Sequence, residues 1–480
     1  MNKDEDARFK GLIEDAKKAA EVILEHAEKE DFIRVITHFD ADGLSAGGLI
    51  ASALYRLNAI FSIRAVRWMD RDLIEEVLNT KTPLTIFVDF GSGYIDLIKK
   101  IEEGDAIILD HHQPSEISDG DFIHVNPHLH GIDGARDISG AGVAYLTARE
   151  IDEKNKDLSY LGIVGALADL QDKYSNRSLG GVNSIILEDA LNEKVISVEK
   201  DLLFFGRETR PIHKALANTM EPFIPGISGE EDKSLAFLIN IGIKPKNNDK
   251  WRALRDLTKE EKKTLFSELA SLLTNEGVSE EIIMSLIGTI YILRNEEPWT
   301  PLRDAREFAS LLNATGRMNK PGLGISICAG DRESALKEAM DLLREYRRTI
   351  MRYVSWVREG EGRFQELDSF YLIRGGTNIS ERMIGTISNL FLTTLPKRDK
   401  PLIAYSIVNE ENIIKISARG TNKTVEKGIN LGEIMREAAE KFSGMGGGHD
   451  VAAGAQIPID RLDDFLRIVD SLIKERLKSN

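Results

Sequence analysis

The chain has 480 residues, 42% hydrophobic and 29% charged, with a formal net charge of −15. That length gives two or three domains, each with its own core; no apolar run reaches the ~18 residues of a membrane span, and a single cysteine, Cys328, excludes an intrachain disulfide and a thiolate zinc site. The acidic balance argues against general coating of duplex nucleic acid but leaves room for a local basic groove, and the charged start, MNKDEDARFKGLIEDAKK, has no signal-peptide core, so a soluble cytoplasmic protein is expected.

Residues 9–30 read as an amphipathic helix, with Leu12, Ala16, Ala19, Ile23 and Leu24 along one face. DFIRVITHFD is a short apolar strand, and GLSAGGLIASALYRL a helix packed through small residues. SIRAVRW, PLTIFVDFG and DAIILDHH are further strands, separated by the helices DRDLIEEVLN and IDLIKKIEEG. Unbroken apolar strands alternating with helices predict a parallel sheet covered on both faces. HVNPHLHGIDG is a loop carrying His124, His128 and His130. SGAGVAYLTAREI and YLGIVGALADLQD are helices, the second ending in Asp169 and Asp172. The expected first domain is 1–190.

From about Glu188 the character changes. Residues 191–365 read as a mostly helical insertion rich in Lys and Glu, closed by one long helix from Ser334 to Val357. Within it, residues 311–331 form a Gly-rich basic turn with Arg317 and Lys320, leading into a strand. Residues 366–480 read as a separate α/β domain. SFYLIRGG, PLIAYSIVNEENIIKISARG and AAGAQIPI are its strands, and MIGTISNLFLTT, NLGEIMREAAEKF and RLDDFLRIVDSLIKERL its helices. The fold class is α/β throughout, with a helical middle.

Ligands of parallel α/β sheets sit beyond the carboxyl ends of the strands. His38, Asp40, Asp42, Asp89, Asp110, His111 and His112 all lie there. A single Asp at a strand end is ordinarily a cap or solvated turn. Three strand ends carrying seven such groups point instead to a metal site. In HFDADG, His38, Asp40 and Asp42 alternate, so an extended segment projects all three the same way. Oxygen and imidazole donors without thiolate suit Mn²⁺ or Mg²⁺. The carboxylates suffice for two cations sharing one acid, a pair that activates water and stabilises in-line displacement at phosphorus. In the last domain, Gly446, Gly447 and Gly448 make a glycine loop whose backbone N–H groups can approach a phosphate, with His449 beside it and Arg419 in ISARG.

THFDADGLSA, VDFGSG, LDHHQP and GALADLQD resemble, in order, the four motifs of the DHH phosphoesterase superfamily, and GMGGGHDVAAGA after IKISARG resembles its DHHA1 domain. The length and the large middle insertion are similar to archaeal RecJ-like single-strand exonucleases of the GINS-associated type. The resemblance implies that His38, Asp40 and Asp89 hold one Mn²⁺, and that Asp42, Asp89, His111 and Asp169 hold the other, Asp89 bridging. It implies that Asp110 orients an imidazole, and that His112 contacts the scissile phosphate or protonates the leaving oxygen. Arg419, the glycines and His449 would hold substrate phosphates. It further implies a Mn²⁺-dependent 5′-to-3′ exonuclease of single-stranded DNA, with RNA left open as a second substrate, acting in replication or repair with GINS as partner. Two alternatives stay open: a small-molecule phosphoesterase of dinucleotides or adenosine bisphosphate, and a replication scaffold without catalysis.

Overall fold

The structure is a computed structural model that describes residues 3–69, 71–101, 103–115, 122–219, 222–395 and 399–478. Asp70 and Glu102, parts of two expected helices, lie outside them. The chain divides into two compact units, Met1–Leu343 and Arg344–Asn480.

The first unit opens with α1 (Lys3–Glu28), β1 (Phe32–His38), α2 (Ala41–Arg56), β2 (Ile60–Val66), α3 (Arg71–Asn79), β3 (Leu84–Val88), α4 (Ile95–Ile98), β4 (Asp105–Leu109) and β5 (Ile123–Val125). All five strands pair in parallel, in the order β2-β1-β3-β4-β5. β3 is buried along its whole length, as expected of a strand covered on both faces, whereas edge strand β2 alternates between exposed and half-buried. The chain reverses its direction across the sheet between β1 and β3, which opens the crevice where such sheets bind ligands. Thr37 of β1 pairs with Val88 of β3, and Val88 pairs with Leu109 of β4. The residues that follow, His38, Asp89 and Asp110, therefore leave three adjacent strands at one level.

α5 (Gly140–Ile151), α6 (Ser159–Ala168) and α7 (Val182–Asn192) follow. The middle of the chain then runs β6 (Ile196–Leu202), α8 (Ile212–Ala217), α9 (Glu231–Asn240), β7 (Lys246–Asn247), β8 (Lys250–Trp251), α10 (Lys259–Asn275), α11 (Glu280–Met284), β9 (Ile287–Leu293), α12 (Ala305–Arg317), α13 (Pro321–Cys328) and α14 (Ser334–Glu359). Residues 202–286 have their own core, built on Phe204, Leu216, Leu238, Leu265 and Leu269. Its two ends are tied by the antiparallel pair β6–β9, an addition to the helical segment expected. The strand expected after Lys320 is instead the buried helix α13. The run GISIC is too short for its period to separate the two; Pro321 at its first turn and the fit of Gly324 against Leu44 and Thr315 decide for helix.

The second unit contains most of α14, then β10 (Phe364–Glu366), β11 (Tyr371–Gly376), α15 (Ile384–Thr394), β12 (Leu402–Val408), β13 (Ile413–Arg419), α16 (Asn422–Glu426), α17 (Leu431–Glu440), β14 (Met445–Gly448), β15 (Ala452–Pro458) and α18 (Leu462–Lys478). Its sheet has the order β10-β11-β12-β13-β15-β14, parallel only at β11–β12. Ile434 and Met435 of α17 and Phe465 and Val469 of α18 pack on Ile403, Ile414 and Ile416. No described helix is long and apolar enough to cross a membrane.

Glu307, near the start of α12, is buried. It accepts hydrogen bonds from the Glu208 N–H, at 2.7 Å, and from the Thr209 hydroxyl, tying α12 to the segment after β6. Burial and the neighbouring Asp304 push its carboxyl up to about 7 from an ordinary 4.5. An acid raised in the folded state costs the fold stability as pH climbs from the unfolded value through the folded one. Glu307→Gln should therefore lose less stability than the wild type between about pH 5 and 8, by on the order of 3 kcal/mol. Urea midpoints of the two proteins across that range give the difference, and parallel curves would contradict it.

Candidate metal centre

β1 ends in His38, and Asp40 then caps α2, accepting the Gly43 N–H at 3.1 Å. Asp42 stands in the first turn of α2, 1% exposed, and points at the start of α5. There the Gly140 and Ala141 N–H groups donate to its two oxygens at 2.6 and 2.9 Å, a charge met by a helix N-terminus. Asp89 follows β3 with a left-handed backbone, φ 61°, which is uncommon for a residue with a side chain. That turn aims its buried carboxylate across the strand ends. Oδ2 lies 3.6 Å from His38 Nδ1 and Oδ1 lies 3.3 Å from His111 Nε2. Asp169 caps the end of α6 and brings Oδ2 to 3.3 Å from the same His111 nitrogen.

The ring of His111 is fixed from behind by its Nδ1, which donates to the Gly134 carbonyl at 2.7 Å. The Nε2 is thereby left as the inward donor atom. Asp110 does not touch that ring. Its Oδ1 accepts from the His112 Nδ1 at 2.8 Å and from the His111 N–H at 2.8 Å, and its Oδ2 from the Ser92 N–H at 2.9 Å. The imidazole it orients is His112, whose side chain is 43% exposed and is the most open of the group.

Two trios thus gather, His38–Asp40–Asp89 and Asp42–His111–Asp169, each offering ligand atoms within 4.8 Å of one another, and Asp89 also groups with His111 and His112. His38 Nδ1, His111 Nε2 and Asp89 Oδ1 are buried with no hydrogen-bond partner. Buried polar atoms are rarely left so. A donor set of oxygens and imidazoles with such orphaned atoms fits divalent cations. The protonation of the cluster agrees. Burial together with Asp89 and Asp169 pushes the Asp42 carboxyl well up. Burial pushes Asp169 up to about 6, with His111 opposing and Asp40 and Asp89 adding. Against burial, Asp40 and Asp89 raise His38, and Asp89, Asp169 and Asp42 raise His111. Asp40 and Asp110 go the other way, held below the usual carboxylate range despite burial by His38 and His112 respectively.

Several neighbours escaped the sequence reading. Gln171, fully buried, donates to the Gly134 carbonyl at 2.9 Å and so fixes the oxygen that holds His111. A Cβ at Gly140 would run into the Asp89 carboxylate, and one at Gly165 into Asp42 and Ala141. The only sequence signal was the run of small residues in SGAG and GALAD. From α12, Asn313 accepts the Ala41 N–H at 3.3 Å, Gly316 packs on the Phe39 carbonyl, and Arg317 is near enough to Asp40 to help keep it ionised. Of the loop histidines, His128 lies against Gly134 and the His111 backbone, and the other two turn away. His124 bonds Ser92 at 2.9 Å and His130 bonds Asp15 of α1 at 2.7 Å. Asp172 is a buried ion-pair partner of Arg177 and Arg306.

In the second unit, Arg419 ends β13 opposite Ala452, and the His449 N–H donates to the Ala452 carbonyl at 2.8 Å, so both stand at one end of the sheet. Gly446, Gly447 and Gly448 form the strand β14 rather than a loop. The cause is packing: a Cβ at Gly446 would meet the Met435 carbonyl of α17, and Gly432 of α17 lies against the Gly448 carbonyl. Gly447, with φ 158°, has open space around it.

Residues 32–166 match the DHH family N-terminal domain, 204–287 the DHH-CID domain and 368–475 the DHHA1 domain. An uncharacterized protein of Methanocaldococcus jannaschii is 35% identical over 477 residues, 98% of this chain and 99% of its own. A putative prophage-derived single-strand DNA-specific exonuclease of Bacillus subtilis, YorK, is 22% identical over 200 residues, 38% of this chain and 34% of its own. RecJ from Thermus thermophilus, solved with Mn²⁺, superposes with a TM-score of 0.58 at 16% identity over 96% of this chain, which spans 55% of that one. CDC45 from Entamoeba histolytica superposes at 0.66 with 11% identity, over 96% of this chain and 99% of that one.

Gly165→Ala should push the Asp42 carboxylate out of place without removing a ligand. Disturbing groups that orient metal ligands costs about 10–100-fold in metal affinity, so calorimetry with Mn²⁺ should show a drop of that size. Gly162→Ala, one turn earlier and facing Ile186, serves as the control; equal affinities in the two variants would contradict the assignment.

Proposed function

Since this chain belongs to the DHH family, whose members include phosphoesterases, we propose that it is a Mn²⁺-dependent exonuclease hydrolysing the phosphodiester bonds of single-stranded DNA, and of RNA by the same chemistry, from the 5′ end. The observation that carries the reading is the meeting of the two trios at the β1–β3 crevice, with buried donor atoms that bond nothing in the protein. His38, Asp40 and Asp89 would hold one cation and Asp42, Asp89, His111 and Asp169 the other. When bound, two such ions about 3.5–4 Å apart supply an activated water and stabilise the charge of an in-line displacement. The chain's own groups do the rest. His112, raised by Asp110 against burial and His111, holds a proton that it can give to the leaving oxygen. Asp110 fixes the ring that carries it. Arg419 presents a planar fork to a phosphate, His449 adds a second polar contact, and Gly447 leaves the backbone open beside them. Mg²⁺ suits the same donors.

A role in replication or repair and association with a GINS-type complex are part of the same proposal, and the fold shared with RecJ and CDC45 is compatible with them. A second reading, a replication scaffold without catalysis, is favoured by the higher superposition on CDC45. The complete ligand set supports the enzyme. One assay separates them: purified chain, Mn²⁺, and DNA and RNA strands labelled at either end, read for ladder and polarity. A scaffold leaves every strand intact.

Asp89→Ala should abolish hydrolysis and leave the fold at least as stable, since mutual repulsion among buried acids falls. Cleavage at near wild-type rate in saturating Mn²⁺ would sink the bridging assignment. Arg419→Ala should weaken strand binding by roughly tenfold or more, the loss of one charge-assisted contact at about 1.5–3 kcal/mol, with Mn²⁺ stoichiometry unchanged in calorimetry.

A further inference from the structure

In a chain of net charge −15, the stretch from Arg344 to Arg358 holds five arginines and one glutamate. It forms the second-unit part of α14. Arg344, Arg348 and Arg352 follow one another at four-residue steps, one exposed face of the helix with steps of about 6 Å. Like charges at that spacing repel and weaken a helix. Among the described residues, neither Arg348 nor Arg352 has a carboxylate in ion-pair reach; Arg352 stands over the Tyr353 ring at 5.3 Å. Met351, 61% exposed, lies between them as an apolar surface.

The opposite face of the same helix is anchored. Tyr346 and Val357 are buried. The Tyr353 hydroxyl accepts the Ser380 N–H at 3.4 Å, and the Tyr346 hydroxyl lies 3.5 Å from that of Thr386. Between those two contacts sits Gly385, where a Cβ would come within 3.2 Å of the Arg419 guanidinium. It is this anchored face, and not the arginine face, that meets the segment bordering Arg419, which leaves the arginines turned outward.

We propose that the Arg344–Arg348–Arg352 face of α14 is a track for the phosphodiester backbone of a single nucleic-acid strand. The inference rests on the nuclease reading above and adds to it a second strand-binding surface, on the second unit. Regularly spaced cations with an apolar surface between them suit a polyanion that also carries flat, apolar bases. An acidic peptide offers the charge without the bases.

The test measures binding of a single-stranded DNA oligonucleotide at several salt concentrations by the full chain, by Arg348→Gln/Arg352→Gln, and by Lys10→Gln/Lys17→Gln on α1, which changes net charge equally. Each single-strand phosphate contact contributes about 0.7 to the log–log salt slope. The arginine pair should lower the slope by roughly 1.4 and weaken low-salt binding more than tenfold, while the lysine pair leaves the slope alone. Restoring charge with Arg348→Lys/Arg352→Lys should recover most of the slope. A slope equal to wild type in the arginine variant, or an equal loss in the lysine variant, overturns the track while leaving the nuclease reading intact. A wild-type chain that binds no strand at any salt overturns both.

Discussion

The carboxylate of Asp89 is 1% exposed, and one of its oxygens accepts no hydrogen bond. Burying a polar atom whose hydrogen bond is left unmade is costly, and the left-handed backbone adds to the cost. A protein keeps such a group only where the surrounding structure over-determines it. Here the surroundings do so from every side. β3 and β4 fix the turn through the Asp89 N–H to the Leu109 carbonyl at 2.8 Å, α5 closes over the carboxylate at Gly140, and His38 and His111 flank it. Small residues serve the same demand where α5 and α6 meet Asp42: the start of α5 puts the Gly140 and Ala141 N–H groups on that acid, and Gly165 lets α6 close against it.

Much of this was legible in the chain itself. Acids and imidazoles after apolar runs become a site as soon as the strands are taken as parallel neighbours, because a parallel sheet aligns its carboxyl ends. The alternation in HFDADG spoke correctly for convergence, yet its two acids and imidazole split between two trios: Asp40 ends the strand and caps α2, and Asp42 already belongs to the helix. What stayed hidden depends on contacts across long separations. Nothing near His111 signals that its ring is held by Gly134, or that Gln171 holds Gly134 in turn. The β6–β9 pair joins residues some ninety positions apart in sequence, and each strand alone is too short to declare itself. The glycines of β14 misled for a different reason: the same residue that exposes a backbone to phosphate also lets a helix lie on a strand, and the sequence does not distinguish the two uses.

The division of labour between the units follows from the same constraint. Every member of the two trios lies before residue 170, and the segment 202–286 folds around its own core. That segment can carry other surfaces without disturbing the acids. It is not loosely attached, however. Glu307 at one end of α12 bonds the backbone that leads into it, and Asn313 and Gly316 near the other end press on the loop between His38 and Ala41. A helix of that length spans roughly 20 Å, so the two regions share a rigid strut.

The placement of α13 has a consequence for synthesis. Gly48 of α2 lies against Cys328, and Leu44 against Gly324, so a wall of the first unit is supplied by residues made long after the metal-side strands. At ordinary elongation rates of about 5–20 residues per second, the face of α2 that α13 covers stays bare for tens of seconds while the intervening segment emerges. The nascent chain thus carries a finished set of strand ends beneath an unfinished roof, and its exposure to chaperones and to premature association is set by how quickly the inserted core can fold and bring α12 and α13 home.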